Sequence, residues 1–244
     1  NPKLSWRIKD IYNKLYIHQA DLVNENLSGV INKIKPTYVF HLAAYGSLPK
    51  EDKFDKMINT NVLGTSNLIK SLDFKSIKLF INAGSSSEYT FKKSSLRETD
   101  SLDPSNDYAV SKATQTLYCH KEALRRNIPI ITFRLFSPYG QFEEKSRLIP
   151  YSILYTLKNK DIPLSNPNFV RDFIYIEDVI DAFLRACDTP PPSGEIFNIG
   201  SGNQYTVRQT VETICHLTKT TSLPIWNSIE KQKRQIEPIY WHAD

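Results

Sequence analysis

The sequence predicts an α/β protein: a doubly wound parallel sheet with a smaller C-terminal lobe. Three observations predict it. Short runs that are apolar throughout alternate with helical stretches over the first two-thirds of the chain. Strands of that kind belong to parallel sheets covered on both faces. Small and polar residues follow the strands at His41–Ala44, Gly84–Ser87 and Phe136–Gly140, and such sheets bind ligands beyond the carboxyl ends of their strands. At 244 residues, the chain suits one large domain or a domain plus a small lobe.

The elements follow in order. Leu15-Tyr16-Ile17-His18 reads as a strand, and Leu27 to Ile34 as a helix stopped at Lys35-Pro36. Tyr38 to Leu42 is a strand running into Ala43-Ala44. Phe54 to Leu72 is a helix, and Ile77 to Ile81 a strand ending at Asn82-Ala83-Gly84-Ser85. Pro104-Ser105-Asn106-Asp107 starts a helix that runs to about Arg126, with Ala109, Ala113, Leu117 and Ala123-Leu124 at helical spacing. Pro129 to Arg134 is the next strand. Beyond Tyr139 the loops lengthen and prolines accumulate. There Arg171 to Ile176 reads as a strand into the helix Asp178–Ala186, and Glu195 to Gly200 as another strand. Thr206 with Gln209 forms a capping box for a helix to about Thr218. Residues 1–140, with parts of 170–200, are expected to form the main domain, and 141–244 mainly the lobe.

Composition narrows the function. Hydrophobic content of 40% and charged content of 23% are those of a globular protein. No apolar run reaches membrane-spanning length, and no signal-peptide pattern opens the chain. Cys119, Cys187 and Cys215 stand apart without metal or redox spacing, which points to a reducing cytoplasm and no metal. The net charge of +5 is a mildly basic surface or a site for an anionic substrate. The basic residues form no dense cluster with interleaved aromatics, which argues against a nucleic-acid partner.

The chemistry is carried by Tyr108 and Lys112 and by the serines Ser85-Ser86-Ser87. With 13 Tyr and 21 Lys in the chain, about one Tyr-x-x-x-Lys spacing is expected by chance. There are two. Tyr89 and Lys93 fall in a polar loop with no apolar period. Tyr108 and Lys112 open a helix, where positions i and i+4 share a face. A phenol, an ammonium and a hydroxyl brought together can move a proton on and off a sugar or alcohol oxygen.

These residues resemble the extended short-chain dehydrogenases/reductases, in the NAD(P)-dependent nucleotide-sugar epimerase/dehydratase branch. The matching pieces are His41-Leu42-Ala43-Ala44, Asn61-Val62-Leu63-Gly64-Thr65, Ser85-Ser86-Ser87-Glu88-Tyr89 and Tyr108-Ala109-Val110-Ser111-Lys112. Arg134-Leu135-Phe136, Arg171-Asp172-Phe173-Ile174-Tyr175 with Glu177-Asp178-Val179, and Phe197-Asn198-Ile199-Gly200-Ser201-Gly202 complete the order. The resemblance spans nearly the whole chain. It implies a Rossmann-like sheet with a C-terminal substrate-binding lobe, NAD or NADP as cofactor, a nucleotide-diphosphate sugar as substrate, and a homodimer formed through the Tyr108 helix.

The resemblance also implies roles. Tyr108 is the acid/base at a sugar hydroxyl, and Lys112 lowers its pKa and holds the nicotinamide ribose. Ser86 bonds the reacting oxygen, with Ser85 and Ser87 as alternatives in register. Asp21-Leu22 resembles the pair that meets the adenine. Leu42, Ala43, Ala44, Asn61, Ala83 and Phe136 join the cofactor set. Arg171 and Arg234 resemble arginines that hold a diphosphate, and Ser137 and Arg147 join the substrate set. Other readings stand beside these. Asp21 could only cap the turn that follows it, and Asn61 could brace a neighbouring loop. Arg171 could pair with Asp172 or Asp178. His41 reads as a strand-end residue held by hydrogen bonds rather than as a base.

The chain departs from the family pattern in places. No Gly-x-Gly-x-x-Gly occurs among its 8 glycines. The family's opening strand, glycine turn and helix are therefore expected to precede Asn1 in a longer protein, and the family also continues past the position of Asp244. Ser137 stands where Asn is common, and Thr90 where Gly is common after Tyr89. Glu88 occupies the place of the dehydratases' proton-abstracting acid, with one residue fewer before Tyr89. An epimerase is the first reading, with a 4,6-dehydratase or a 4-keto-sugar reductase next. A binding protein without catalysis is the reading from another class.

Overall fold

The computed structural model describes residues 2–48, 50–229 and 240–244. A 3-10 helix, Pro2–Lys14, leads to α1 (Ser28–Ile34) and β1 (Tyr38–His41). Next come α2 (Phe54–Met57), a π-helical segment (Ile58–Gly64), α3 (Thr65–Ser71) and β2 (Leu79–Ser85). A 3-10 turn (Ser86–Glu88) precedes α4 (Asp107–Arg126), β3 (Ile130–Leu135) and β4 (Ser137–Tyr139). The rest is α5 (Leu148–Thr156), β5 (Ile162–Pro163), β6 (Val170–Arg171), β7 (Phe173–Tyr175), α6 (Ile176–Asp188), β8 (Ile196–Ile199), β9 (Tyr205–Thr206), α7 (Val207–Thr218) and β10 (Pro224–Ile225).

The main sheet has the order β1-β2-β3-β8, and every pairing in it is parallel. Alternate residues of a strand face opposite sides, and both sides are covered here. Phe80 and Ile130 pack with Ile69, Cys119 and Ala123 beneath α3 and α4. Leu79, Ile81, Ile131 and Phe133 pack with Val179, Phe183 and Ala186 of α6 on the other side. Burial on both faces is why these strands carry no polar alternation.

Helix α4 is set by its ends. The Asn106 side chain accepts from Ala109 N at 3.0 Å, and Asn127 closes the helix in the left-handed region at φ 49°; both are preferred cap residues. Asp107 opens the helix and Arg125 and Arg126 end it, matching its dipole. Ala109, Ala113 and Ala123 face the sheet, but Leu117 and Leu124 are 55% and 60% exposed. The inward face runs 109, 112–113, 116, 119, 123, so those two leucines lie on the outer flank.

The structure revises several expectations, among them the end of β2, which runs on through Asn82-Ala83-Gly84 to Ser85 instead of stopping at Ile81. Leu15–His18 is not a strand, and Tyr16 is 98% exposed. An extended stretch becomes a strand only when paired, and this one has no strand partner among the described residues. The single helix expected from Phe54 to Leu72 is interrupted by the π-helical segment, at whose end the Thr65 hydroxyl donates to the Asn61 carbonyl at 2.6 Å and the Thr65 N–H to Val62 O. The strand expected from Arg171 to Ile176 is split at Asp172 into β6 and β7. Tyr89 lies in a loop, yet it is 1% exposed and bridges to Leu102.

Outside the sheet, β5 pairs with β10, β4 with β7, and β6 antiparallel with β9. Helices α5 and α7 enclose Ile162, Leu164, Phe169, Val207 and Val211. The capping box of α7 forms as its spacing implies, Gln209 N to Thr206 Oγ1 at 3.0 Å and Thr206 N to Gln209 Oε1 at 2.8 Å. The sheet core carries the stability. Phe80→Ala, at a fully buried position, should cost about 3–5 kcal/mol in urea unfolding, whereas Leu217→Ala, 72% exposed, should stay within about 0.5 kcal/mol.

Candidate active site

The ends of β1 and β2 and the first turns of α4 meet at one edge of the main sheet. Tyr108, Lys112, Gln115 and Thr116 share a face of α4, at spacings of 4, 7 and 8 residues. Lys112 is 2% exposed. Its Nζ donates to Ala83 O at 2.6 Å and to Gln115 Oε1. Burial pulls the Lys112 ammonium down to about 8, with Glu88 opposing. Burial pushes the Tyr108 phenol up to about 12, while Arg147 and a hydrogen bond with the Ser85 side chain pull it down. The phenol and the ammonium therefore stand on one face with their proton affinities driven apart, the phenol holding its proton more tightly and the ammonium less.

The serines divide. Ser85 Oγ lies 2.8 Å from Ser87 Oγ and is the serine hydroxyl that acts on the Tyr108 phenol, pulling its pKa down. Ser86, expected to hold the reacting oxygen, points the other way and accepts from Trp241 Nε1 at 3.2 Å. The reason is the turn itself. Ser85 caps the short 3-10 helix of Ser86–Glu88, and the reversal sends the next side chain inward.

Glu88, expected as an acid/base, is fully buried. Oε1 accepts from Ser85 N at 2.8 Å and Thr116 Oγ1 at 2.9 Å, and Oε2 accepts from Arg134 Nε at 2.9 Å. Burial pushes its carboxyl up and Arg134 pulls it back. Every partner is a donor, so the carboxylate is ionised. Arg134 also donates to Tyr89 Oη at 2.8 Å, and Tyr89 Oη donates to Asn198 Oδ1 at 2.6 Å.

A second polar cluster lies behind Lys112. Gln115 Nε2 donates to Thr65 Oγ1 at 2.8 Å, and His41 Nε2 lies 2.7 Å from the same oxygen. Thr65 Oγ1 donates to Asn61 O, so His41 carries its proton on Nε2 and donates. Burial, helped by Lys112, pulls His41 down to about 4.

Among the residues expected at the cofactor, Leu42, Ala43 and Ala44 form an exposed loop at the end of β1, Leu42 62% exposed. Asn61 is buried and braces that loop, donating to Tyr45 O at 2.9 Å and accepting from Tyr45 N at 2.8 Å. Phe136 is core, packed with Tyr89, Val170 and Trp241. Asp21 is spent on its own turn, accepting from Val23 N at 2.8 Å and Asn24 Nδ2 at 2.9 Å. The Leu22 carbonyl accepts from Asn67 Nδ2 at 2.8 Å. The exposed small-residue loop, the Lys112 ammonium and Tyr108 fit the nicotinamide end of a dinucleotide. No glycine-rich turn in the sequence offers itself to the pyrophosphate.

Among those expected at the substrate, Arg147 donates to Ser47 O at 3.0 Å and sits within electrostatic reach of Tyr108. Ser137 N donates to Asp172 O at 3.0 Å beside β7. Arg171 donates to the carbonyl of Val170 at 2.7 Å. The Asp172 carboxylate turns elsewhere, to Ser201 N, Ser201 Oγ, Gly202 N and Ala243 N. Arg234 lies outside the described residues. Sequence reasoning missed Gln115, Thr116, Thr65 and Trp241 in the site. The first two were findable, as polar residues on the face of α4 that buries Ala109 and Ala113.

With this geometry in place, the relationships of the chain are informative. The NAD dependent epimerase/dehydratase family model matches residues 2–200, and the chain belongs to that family, whose enzymes depend on NAD. An uncharacterized UDP-glucose epimerase of Bacillus subtilis is 27% identical over 218 residues, covering 86% of this chain and 68% of that protein. The dTDP-4-dehydro-6-deoxyglucose reductase of Escherichia coli is 29% identical over 212 residues, covering 83% and 66%. The chain thus spans about two-thirds of the length of these relatives. The fold matches the crystal structure of UDP-glucuronic acid 4-epimerase from Bacillus cereus in complex with UDP-glucuronic acid and NAD, with a TM-score of 0.84, 22% identity, and coverage of 97% of this chain and 75% of that one. The parallel sheet with helices on both faces is therefore a Rossmann fold. No helix among the described residues is long and apolar enough to cross a membrane.

The buried histidine gives a pH signature. Its folded pKa of about 4 lies below the unfolded value near 6.5, so the unfolded state binds the extra proton in between. Stability should fall as pH drops from about 6.5 to about 4, by about 3 kcal/mol at most from this group. Urea midpoints measured across that range should show the fall, and a His41→Gln variant should lose this part of it.

Proposed function

We propose that the protein containing this chain is a nucleotide-sugar epimerase that works by hydride transfer at a sugar carbon, with Tyr108 as the acid/base. The observation that carries the reading is the convergence of the Tyr108 phenol, the Ser85 hydroxyl and the Lys112 ammonium at one sheet edge. Bound NAD supplies the hydride acceptor and donor. The chain's own groups handle the proton. Tyr108 takes a proton from the sugar hydroxyl and returns it, and Ser85 steadies the same oxygen through its hydrogen bond. Arg147 places positive charge near the phenol, which favours its phenolate form, and Lys112 is assigned the nicotinamide ribose.

Substrate and assembly complete the reading. A nucleotide-diphosphate sugar presents an anion, and Arg147, Arg171 and Arg234 are the groups assigned to it, with Ser87 and Ser137 beside the sugar. Residues 1–140, with parts of 170–200, serve the cofactor, and 141–244 mainly the substrate. The outer flank of α4, bearing Leu117 and Leu124, is the proposed homodimer face, and the cytoplasm the proposed location.

Two observations order the neighbouring reactions. A 4,6-dehydratase needs an open acid at the place of Glu88, and that carboxylate is sealed. A 4-keto-sugar reductase needs only the groups above, and the Escherichia coli relative is named for such a reduction. The reductase therefore stands second.

The test uses the full-length protein with NAD and a panel of UDP-glucose, UDP-glucuronic acid and dTDP-glucose, with NADH and dTDP-4-dehydro-6-deoxyglucose for the reductive direction. Epimerised product without net cofactor consumption is expected. Tyr108→Phe should keep the melting temperature and lose about 10²–10⁴-fold in turnover. Turnover that survives this change removes Tyr108 from the chemistry, and a full-length protein that binds no NAD in calorimetry is a binding protein of another kind.

A further inference from the structure

We propose that Glu88 is a positioning residue: its buried carboxylate, anchored by Arg134, ties the Ser85 turn to the face of α4 that carries Tyr108 and Lys112. The inference rests on the reading of Tyr108 as the acid/base. One oxygen, Oε1, reaches both sides of the tie at once. It accepts from the backbone N–H of Ser85, 2.8 Å away, and from the hydroxyl of Thr116, 2.9 Å away on α4. Thr116 stands one helical turn beyond Lys112 and two beyond Tyr108, on the same face. The other oxygen is fixed on Arg134, a residue of β3 that is itself 2% exposed. Strand, turn and helix therefore converge on a single carboxylate that no substrate can reach.

The fit is tight. A methyl group placed on Gly84 would come within 2.9 Å of Glu88 Oε1 and 2.8 Å of Thr132 Cγ2. The backbone before Ser85 has no slack, so a displaced Glu88 moves the serine. The residue whose N–H Glu88 holds is the one whose hydroxyl acts on Tyr108. Loss of the tie loosens a reacting geometry in which small displacements are costly.

The carboxylate also sets charge. Lys112 faces Glu88 from the serine turn, Cys119 from its own helix and His41 from β1. Cys119 is pushed up to about 12 and His41 pulled down to about 4, so near neutral pH Glu88 is the charged member of that set. Tyr108 faces Arg147, Glu88 and Glu51. Glu88 raises the proton affinity of both Lys112 and Tyr108, and its neutralisation shifts both downward.

Two substitutions separate geometry from charge in the full-length protein. Glu88→Gln removes the charge, and Thr116→Val removes only the helix end of the tie. Both are compared with wild type and with Tyr108→Phe, on whichever nucleotide sugar of the panel the wild type turns over. Glu88→Gln should lower kcat by roughly 10- to 10²-fold, leave KM unchanged, and move the pH profile of kcat/KM toward lower pH. Thr116→Val should lower kcat severalfold without moving the profile. Amide exchange at Ser85, read without cofactor or substrate, should quicken in both variants while the amides of Phe80 and Ile81 stay protected. Unchanged exchange at Ser85 in both variants overturns the proposal. So does an activity loss that only follows the folded fraction and leaves the pH profile in place. Where Glu88→Gln does not fold, Thr116→Val decides through exchange and kcat. Retained turnover in Tyr108→Phe defeats the reading of Tyr108, while the exchange result still judges the tie.

Discussion

A carboxylate and a guanidinium sealed between the sheet and α4 set the constraint on which the rest of the site depends. Glu88 and Arg134 are 0% and 2% exposed. Taking both charges from water costs several kcal/mol per ion, and such a pair is often no more stable than well-packed apolar residues of the same size. What it does impose is geometry. Each remaining donor and acceptor must find a partner in the dry interior, and here those partners come from four segments: the Ser85 turn, α4, the Tyr89 ring and the Glu98 carbonyl. None of the four can shift alone without leaving a buried charge short of a bond. Removing only one of the two ions would be far more costly than replacing both.

The same logic governs the cluster behind Lys112. Gln115, Thr65, His41 and Asn61 are all nearly inaccessible, and their hydrogen bonds form one connected set. Its consequence is that Lys112 enters the site with its direction already chosen. Two of its three protons are given to Ala83 O and Gln115 Oε1, which leaves one for the site. Because Asn61 holds both the N–H and the carbonyl of Tyr45, the loop after β1 is fixed by the same network. The two clusters meet at the end of β2. Ala83 holds the lysine there, and two residues on Ser85 is held by Glu88.

This division explains what could be read from the sequence. The sheet was legible because strands buried on both faces carry an unmistakable composition, and α4 because Asn106 and Asn127 mark its ends. Tyr108 and Lys112 were legible because helical spacing alone puts them on one face. The serine register was not, since three identical residues give no sign of which way a 3-10 turn will point them; only the turn's hydrogen bonds set Ser85 apart from Ser86. Asn61, Asp21 and Phe136 carry the residue types of a binding site, yet each is consumed locally, by a loop, a turn and a core. Leu15–His18 has the composition of a strand and lacks the neighbour that would make it one. Composition predicts a willingness to pair, and a partner decides whether pairing occurs.

The sealed position of Glu88 also bears on which reaction the proposed site can run. An elimination at the sugar requires a second proton to be removed from carbon, by a base that touches the substrate. A carboxylate whose two oxygens already accept three donors and that is shut off from the substrate cannot be that base. The turn itself gives this a local cause. Glu88 is the third residue of the 3-10 helix capped by Ser85, and in a capping box that position reaches back to the N-cap N–H. A residue drawn into closing its own turn cannot at the same time reach outward. On the proposed reading, the turn that fixes Ser85 against Tyr108 is therefore also what withholds Glu88 from the substrate, and the site is left with proton exchange at a hydroxyl, the step that epimerisation and keto-reduction share.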